Sequence, residues 1–207
     1  LKRKEFWSKD FIVNRDTLIP RPETELLSQS VIDIYKSKKI SILDIGTGTG
    51  CILLSILGEL KKSKGIGIDI SKKAIDVAIA NSKKHNLSGR AKFYVRELNE
   101  FFGQKFDLIV SNPPYIKNCE LKNLTDDIKK FEPKIALDGG NDGLDVIKKV
   151  IYKSKTILKK LGTLALEIGN KQHGKVSQIL EDQGFRNRIL LKDYQSNVRC
   201  IIASLKK

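Results

Sequence analysis

The chain has 207 residues, 40% of them hydrophobic, and a formal net charge of +15 at pH 7. A globular domain of this size buries enough surface to fold, so it needs no disulfide bonds and no structural metal for that purpose. The longest apolar run, CILLSIL, is too short to span a bilayer, and the first ten residues lack the apolar stretch of a signal peptide.

The chain begins with an arm that leads into a helix. Residues 1–14 are typical of an extended arm or a short hairpin. Pro22 suits the first turn of a helix that runs to about Lys36, since proline at this position loses no helical hydrogen bond. We therefore expect residues 1–39 to form an N-terminal arm and lead-in helix, ahead of a main domain at 40–207.

The main domain alternates apolar strands with amphipathic helices. The predicted strands are residues 40–46, 65–70, 91–97, 106–112, 162–169, 185–192 and 198–204. Helical patterns cover residues 50–60, 72–85, 142–159 and 171–183, and Ser71 is a good N-cap for the second of them. Several strands are continuously apolar, as parallel strands covered on both faces are. The pattern predicts an α/β fold with a mostly parallel sheet, closed by an antiparallel hairpin because the last two strands are joined by only five residues.

A glycine loop follows the first of these strands. Gly46, Gly48 and Gly50 lie between a strand and a helix, where they allow a tight turn and the close approach of a ligand. A dinucleotide site of the G-x-G-x-x-G type needs glycine at the position of Cys51, which argues against NAD. The candidate cofactor-binding residues here are Asp44, Gly46, Thr47, Gly48, Thr49 and Gly50.

Acidic residues extend this candidate cofactor site to the next strands. Asp69 ends the second strand, where an acid accepts hydrogen bonds from both ribose hydroxyls of a nucleoside. Asp44, inside the loop motif, suits a ligand with a positive centre, such as S-adenosylmethionine, better than a pyrophosphate. Glu97 and Leu98 follow the third strand, where an adenine ring would lie. The alternatives are a structural acid on the loop for Asp44, a helix N-cap for Asp69 and an exposed loop acid for Glu97.

The fourth strand ends in Asn112, Pro113, Pro114 and Tyr115, a segment that cannot continue as strand or helix. Carbonyl groups here have few local donors, and Asn112 adds a side-chain carbonyl. Two acceptors side by side suit a planar NH2 group, and Tyr115 offers a flat ring against it. We predict that these residues bind the substrate and carry the catalytic step. The alternative is a proline-rich turn with a structural asparagine.

The cysteines, histidines and lysines indicate the cellular compartment, whether a metal is bound and whether nucleic acid is a partner. Three widely spaced cysteines are expected to be free thiols in a reducing, cytoplasmic environment. Neither His85 nor His173 has metal-ligand spacing around it, so we expect no metal. The net charge fits either a phosphate-rich partner or a lysine-rich composition. Because the lysines are spread along the helices, we favour composition and expect no stable nucleic acid complex.

Several segments together resemble a known family. DIGTGTG, GIGIDIS and VSNPPYI resemble the motifs of class I S-adenosylmethionine-dependent methyltransferases that modify planar nitrogens, on adenine bases or on glutamine side chains. LIPRPETELL, FEPKIALDGGNDGLD and LEIGNKQ are similar, more narrowly, to the HemK/PrmC type, the N5-glutamine methyltransferases of peptide chain release factors. The resemblance runs from about Phe11 to Ala203, nearly the whole chain.

The resemblance implies a Rossmann-like, seven-stranded class I methyltransferase domain over residues 40–207. It implies methyl transfer from S-adenosylmethionine to the glutamine of the GGQ motif in a class I release factor, with S-adenosylhomocysteine as product. On this basis the glycine loop and Asp69 bind the cofactor, and residues 112–115 hold the glutamine, with Asn112 also near the methyl donor of the cofactor. Residues 21–25 cover the cofactor. It assigns no clear role to Glu132, Glu167 or Arg199. We expect a monomer that does not bind membranes and whose partner is the release factor.

The sequence also departs from this family. A helical domain of several dozen residues usually comes first and helps to grip the release factor, and we expect it to be absent here. The end motif normally has Gly and Asp before its arginine, whereas KDYQSNVRCI surrounds Arg199, and Leu98 stands where an aromatic residue is common. These differences concern affinity for the partner and the cofactor more than the chemistry.

Three other functions stay open on the sequence alone. A glutamine methyltransferase acting on a ribosomal protein shares the NPPY segment but differs in its early motif. An adenine-N6 methyltransferase of DNA or RNA suits the charge of +15, although the chain has no extra domain to read a groove. A cofactor-binding module without activity is the third, and the intact NPPY segment argues against it.

Overall fold

The computed structural model describes residues 2–101 and 103–206 and shows a sheet flanked by helices. The elements are β1 (Arg3–Phe6), β2 (Lys9–Ile12), α1 (Pro22–Tyr35), β3 (Ser41–Ile45), α2 (Cys51–Glu59), β4 (Lys64–Asp69), α3 (Lys72–Lys84), β5 (Ala91–Val95), β6 (Phe106–Ser111), α4 (Asn118–Leu121), α5 (Asp126–Phe131), α6 (Asp145–Ile157), β7 (Leu158–Glu167), α7 (His173–Asp182), β8 (Phe185–Lys192) and β9 (Val198–Leu205). Within these ranges, no helix is long and apolar enough to cross a bilayer.

The main sheet has seven strands in the order β5-β4-β3-β6-β7-β9-β8. Strands β5, β4, β3, β6 and β7 pair in parallel, whereas β9 is antiparallel to both β7 and β8. The predicted seven-stranded, mostly parallel sheet with an antiparallel C-terminal hairpin is therefore confirmed. Because β3 lies between β4 and β6, the winding reverses there, and such a reversal opens a crevice at the carboxyl ends of the strands.

The sheet separates two apolar cores. One core packs under α1, α2 and α3 together with the β1–β2 hairpin, and the other under α6 and α7. Strand β6 shows how the two are divided: Leu108 and Val110 face the first core, and Ile109 faces the second. Successive side chains of a strand point to opposite faces, so a continuously apolar strand supplies both. The prediction of helices on both faces is confirmed.

Local signals set several boundaries correctly. Within the arm, residues 3–12 form the short hairpin of β1 and β2. Pro22 is the first residue of α1, and the Ser71 hydroxyl accepts a hydrogen bond from the Ala74 N–H as the N-cap of α3. The proline loses no hydrogen bond at the first position of a helix, and the serine hydroxyl binds a backbone N–H that the helix leaves without a partner. Both residue types therefore mark a helix start in the sequence.

The predicted boundary between α6 and β7 is wrong. The helical pattern was expected to continue to residue 159 and the strand to begin at 162, but α6 ends at Ile157 and β7 begins at Leu158. Leu158 is buried and pairs with Phe106 of β6, after which the register shifts. Pairing with a neighbouring strand therefore outweighs local helical preference here. The short helices α4 and α5 were not predicted.

Asn81 of α3 fastens the N-terminal hairpin to the domain. Its side chain is fully buried, and its Oδ1 accepts from the Ile12 N–H at 2.7 Å. Its Nδ2 donates to the carbonyl oxygens of Ile12 at 3.0 Å and Thr49 at 2.9 Å. The Asn81 side chain thus makes the two backbone hydrogen bonds with Ile12 of β2 that a neighbouring strand would otherwise make. It also binds the end of the glycine loop through Thr49.

We expect Asn81→Ala to lower the free energy of unfolding by about 2–3 kcal/mol, because it leaves backbone groups of Ile12 and Thr49 without their partner. Urea denaturation followed by circular dichroism measures this loss. Asn123→Ala is the matched control, since Asn123 is exposed, and it should change stability by less than about 0.5 kcal/mol. Equal stability of the two variants would show that Asn81 does not fasten the hairpin.

Candidate active site

A cleft of about 380 Å³ opens at the carboxyl ends of the parallel strands, a volume typical of small-molecule sites. The predicted site residues that line it are Gly46, Thr47, Gly48, Thr49, Asp69, Glu97, Leu98, Asn112 and Pro114. The other predicted residues, Asp44, Gly50, Pro113 and Tyr115, do not line it. The first three of these are buried and Tyr115 is half-buried. The structure therefore brings most of the predicted residues to one cavity.

The glycine loop folds back on β4. The N–H groups of Gly46 and Thr47 both donate to the Ile68 carbonyl oxygen, at 2.9 and 3.0 Å. Gly48 has φ +54°, a left-handed conformation that glycine adopts without strain. Gly50 has φ +78°, and a Cβ there would lie 3.2–3.3 Å from neighbouring side chains. The loop thus presents backbone rather than side chains to the cleft at Gly46 and Gly48, and Gly50 packs behind it.

Asp44 lies behind the glycine loop and acts on the cleft through Thr47. It is fully buried, and its Oδ2 accepts a hydrogen bond from the Thr47 hydroxyl at 2.6 Å. Its Oδ1 has no hydrogen-bond partner in the described part of the chain. Burial raises the pKa of Asp44 to about 7, and the charge of Asp69 contributes to the rise. This geometry is that of an acid that braces the loop, and direct contact between Asp44 and a cofactor stays a prediction.

Asp69 both shapes the glycine loop and faces the cleft. Its carboxylate accepts from the Gly48 N–H at 3.0 Å and from the Ser71 N–H at 2.9 Å. Burial raises the pKa of Asp69, and these backbone hydrogen bonds oppose the rise. A carboxylate has about four lone-pair sites, so acceptor capacity remains for the hydroxyl groups of a ribose. The acceptor that Asp69 offers to the cleft therefore fits a nucleoside cofactor.

The end of β5 forms the far wall of the cleft. Glu97 is exposed there, and Leu98 is half-buried at the start of a 3-10 turn. Leu98 packs against the second core, as Val146 of α6 does, and both line the cleft. This wall joins an apolar surface to an exposed carboxylate, which suits the face and the exocyclic amine of an adenine. Contact with adenine stays a prediction for both Glu97 and Leu98.

Asn112 stands at the opposite end of the cleft in a chain of hydrogen bonds. Its Nδ2 donates to the Thr24 hydroxyl at 3.3 Å, and the Thr24 hydroxyl donates to Oε2 of Glu167 at 2.5 Å. Thr24 and Glu167 are both buried. Because the amide nitrogen is engaged by Thr24, Oδ1 is the atom of Asn112 that is left to accept from a ligand. Burial raises the pKa of Glu167, while the Thr24 hydroxyl and the Arg199 charge oppose the rise.

Tyr115 is held from behind by two charged side chains. Its hydroxyl donates to Oε1 of Glu167 at 3.2 Å and accepts from Nη2 of Arg199 at 3.2 Å. The Arg199 guanidinium also lies 5.8 Å from the centre of the ring. Burial raises the pKa of the hydroxyl well above its ordinary range, so it stays protonated. Sequence reasoning gave Glu167 and Arg199 no role, and the structure brings both to the NPPY segment.

The glycine-rich stretch after α5 packs directly on the NPPY segment. The Ile116 N–H donates to the Leu137 carbonyl oxygen, and the Gly139 N–H donates to the Ile116 carbonyl oxygen. A Cβ at Gly139 would come within 2.7 Å of the Tyr115 Cα, and one at Gly143 within 2.5 Å of the Tyr115 carbonyl oxygen. Only glycine fits at these positions. The glycines of LDGGNDGLD are the signal of this packing in the sequence, where on their own they support only the family resemblance.

A salt bridge closes the side of the cleft next to α1. Arg21 lines the cleft, and its Nη2 lies 2.5 Å from Oε1 of the buried Glu132. The Ile19 N–H contributes a longer contact of 3.5 Å to the other carboxylate oxygen. The pair joins the segment before α1 to the end of α5. Across residues 2–101 and 103–206, no group of three or more His, Cys, Asp or Glu side chains is arranged to hold a metal ion.

Comparisons with known proteins agree on one kind of enzyme. Residues 36–184 match the family described as a methyltransferase domain. A release factor glutamine methyltransferase of Rhodospirillum rubrum is 38% identical over 203 residues, which is 98% of this chain and 62% of that protein. A protein of the same name from Clostridium acetobutylicum is 41% identical over 203 residues, which is 96% of this chain and 71% of that protein. The chain therefore spans about two thirds of the length of these two relatives.

The fold has solved counterparts as well. The crystal structure of a ribosomal protein L11 methylase from Lactobacillus delbrueckii subsp. bulgaricus superposes with a TM-score of 0.67 at 18% identity. The match covers 90% of this chain and 81% of that one. At this identity the likeness concerns the fold, and it confirms the predicted class I methyltransferase architecture.

We expect Asp69→Ala to weaken S-adenosylmethionine binding about tenfold or more, because the variant loses the charged acceptor that the cleft offers to a ribose. Isothermal titration calorimetry measures the dissociation constant. Asp76→Ala is the matched control, since Asp76 is an exposed acid of α3 that pairs with Lys72 at 3.9 Å. An Asp69→Ala affinity equal to that of the control would rule out a binding role for this carboxylate.

Proposed function

We propose a function for this chain from the family to which it belongs, that of the release factor glutamine methyltransferases. The chain transfers a methyl group from S-adenosylmethionine to the side-chain amide nitrogen, N5, of the glutamine in the GGQ motif of a peptide chain release factor. The observation that carries this proposal is the Asn112 side chain at the rim of the cleft, with its amide oxygen left to accept from a ligand. Family membership supports the substrate, and the cleft supports the cofactor.

One half of the cleft holds the cofactor. S-adenosylmethionine supplies an electrophilic methyl group on a positively charged sulfur, and it leaves as S-adenosylhomocysteine. The Asp69 carboxylate accepts from its ribose, and the backbone of residues 46–50 lets it approach the sheet closely. Leu98 gives its adenine an apolar surface. Asp44 behind the loop disfavours a phosphate, and a cationic ligand in the cleft would favour the ionised form of this acid.

The other half of the cleft orients the glutamine amide. An amide nitrogen is a weak nucleophile because its lone pair is delocalised into the carbonyl group. Oδ1 of Asn112 and one backbone carbonyl oxygen of the NPPY segment accept its two hydrogens, which fixes the direction of the lone pair. These acceptors also stabilise the positive charge that develops on nitrogen as the new bond forms. Placing the nitrogen next to the methyl group supplies the rest of the rate gain.

The proton balance needs no catalytic base. The nitrogen forms a bond to the methyl carbon as the carbon–sulfur bond breaks, and the nitrogen then carries a proton too many. A protonated amide is a strong acid, so it releases this proton to water. The Tyr115 hydroxyl does not serve as a base, because burial keeps it protonated.

A methyl-transfer assay with three separate acceptors tests the proposal. The chain is incubated with S-adenosylmethionine and an unmodified release factor, total ribosomal protein or unmethylated DNA, and mass spectrometry locates any methyl group. We expect the methyl group on the GGQ glutamine alone. Methylation of ribosomal protein or of DNA, with none on the release factor, would replace the proposed substrate.

We expect Asn112→Ala to lower turnover at least about 100-fold while leaving the S-adenosylmethionine dissociation constant within about threefold, because the lost acceptor acts on the glutamine amide. Steady-state methylation kinetics and calorimetry measure the two effects separately. Asn123→Ala, at an exposed position between α4 and α5, is the control for substitution of an asparagine. Near-normal turnover of Asn112→Ala would exclude the mechanism.

A further inference from the structure

Glu167 occupies an unusual position at the end of β7. It is only 1% exposed, yet both carboxylate oxygens face hydroxyl groups of the candidate site. Oε2 accepts from Thr24 at 2.5 Å, and Oε1 accepts from Tyr115 at 3.2 Å. A buried carboxylate is costly unless its hydrogen bonds are satisfied, so its presence calls for a function. Neither the glycine loop nor the NPPY mechanism described above uses it directly.

The direction of the hydrogen bonds follows from the chemistry of the partners. Arginine is only a donor, so Arg199 takes a lone pair of the Tyr115 oxygen, and the tyrosine proton goes to Glu167. A separation of 2.5 Å between Thr24 and Glu167 is typical of a hydroxyl that donates to an ionised carboxylate. The hydroxyl proton of Thr24 is then engaged by Glu167, so the Thr24 oxygen can only accept a hydrogen bond from Asn112. The carboxylate therefore dictates which end of the Asn112 amide faces Thr24.

We propose that Glu167 is a positioning residue that sets the orientation of the Asn112 amide through Thr24 and holds the Tyr115 ring through its hydroxyl. This inference rests on the proposed function, which needs Oδ1 of Asn112 to face the acceptor amide. An amide turned by 180° would present its NH2 group to another NH2 group, and neither can accept. The Glu167–Thr24 pair thus favours a methylated substrate whose nitrogen donates hydrogen bonds, as the amide of glutamine or the amine of adenine does.

Two variants of the pair test the proposal by different routes. Glu167→Gln keeps the shape but adds an NH2 donor, so Thr24 is free to donate to Asn112 and to turn its amide. Thr24→Val keeps the volume but removes the hydroxyl. We expect both to lower kcat on the release factor about tenfold to 100-fold, with the S-adenosylmethionine dissociation constant within about threefold of wild type. We expect Thr24→Ser to restore the turnover that Thr24→Val loses.

The matched control is Thr163→Val. Thr163 is also a buried threonine, and its hydroxyl accepts from Tyr35 at 2.9 Å in the middle of β7. It reports the cost of removing a buried hydroxyl outside the cleft, and we expect its kcat to be unchanged. If Glu167→Gln does not fold, as judged by circular dichroism, the comparison of the Val and Ser variants at position 24 decides alone.

A spectroscopic readout separates this inference from the proposed function. In a 15N-labelled sample the side-chain NH2 signals of Asn112 are assigned by their loss in Asn112→Ala. We expect them to shift in Glu167→Gln and Thr24→Val and to stay in place in Thr24→Ser and Thr163→Val. Wild type that fails to methylate any release factor would reject the proposed function, and the spectra would still test the positioning. Unshifted Asn112 signals in Glu167→Gln and Thr24→Val, or a kcat within about threefold of wild type in both variants, would overturn the positioning role of Glu167.

Discussion

The parallel register of four neighbouring strands is the constraint on which the whole candidate site depends. Ile45 of β3 pairs with Ile68 of β4 and with Ser111 of β6, and Ser111 pairs with Leu166 of β7. The residues that follow these pairs therefore meet at one edge of the sheet, and they are Gly46, Asp69, Asn112 and Glu167. A slip of one residue in any strand would turn its side chains to the opposite face of the sheet, and the four residues would no longer meet.

The same edge carries two carboxylates with different surroundings. Asp69 lies on the side proposed for the cofactor, accepts from two backbone N–H groups and keeps lone pairs for a ligand. Glu167 lies on the side proposed for the glutamine, and its oxygens accept from two protein hydroxyls. Asp69 is thus suited to bind a ligand, and Glu167 is suited to orient Asn112 and Tyr115. Burial raises the pKa of both, and hydrogen bonds from neighbouring groups are what make either charge tolerable there.

The sequence predicts the features that rest on local patterns. Continuous apolar runs identify the parallel strands, and single residues mark the starts of two helices, Pro22 for α1 and Ser71 for α3. Contacts between distant segments leave no such pattern: Thr24 and Glu167 are 143 residues apart, and Arg21 and Glu132 are 111 apart. Tyr115 was predicted only as a ring facing the substrate, because nothing near it in sequence shows that its hydroxyl binds Glu167 and Arg199. Tertiary packing decides these roles, as it decides the early start of β7.

A crystal structure with S-adenosylhomocysteine and a peptide that contains the GGQ motif would test the central claim most directly. That claim is that the NPPY segment holds a glutamine amide against the methyl donor. We expect the glutamine side-chain nitrogen within hydrogen-bond distance of Oδ1 of Asn112 and facing the cofactor sulfur. A glutamine bound elsewhere, or an Asn112 that turns its NH2 group towards the cleft, would contradict the account.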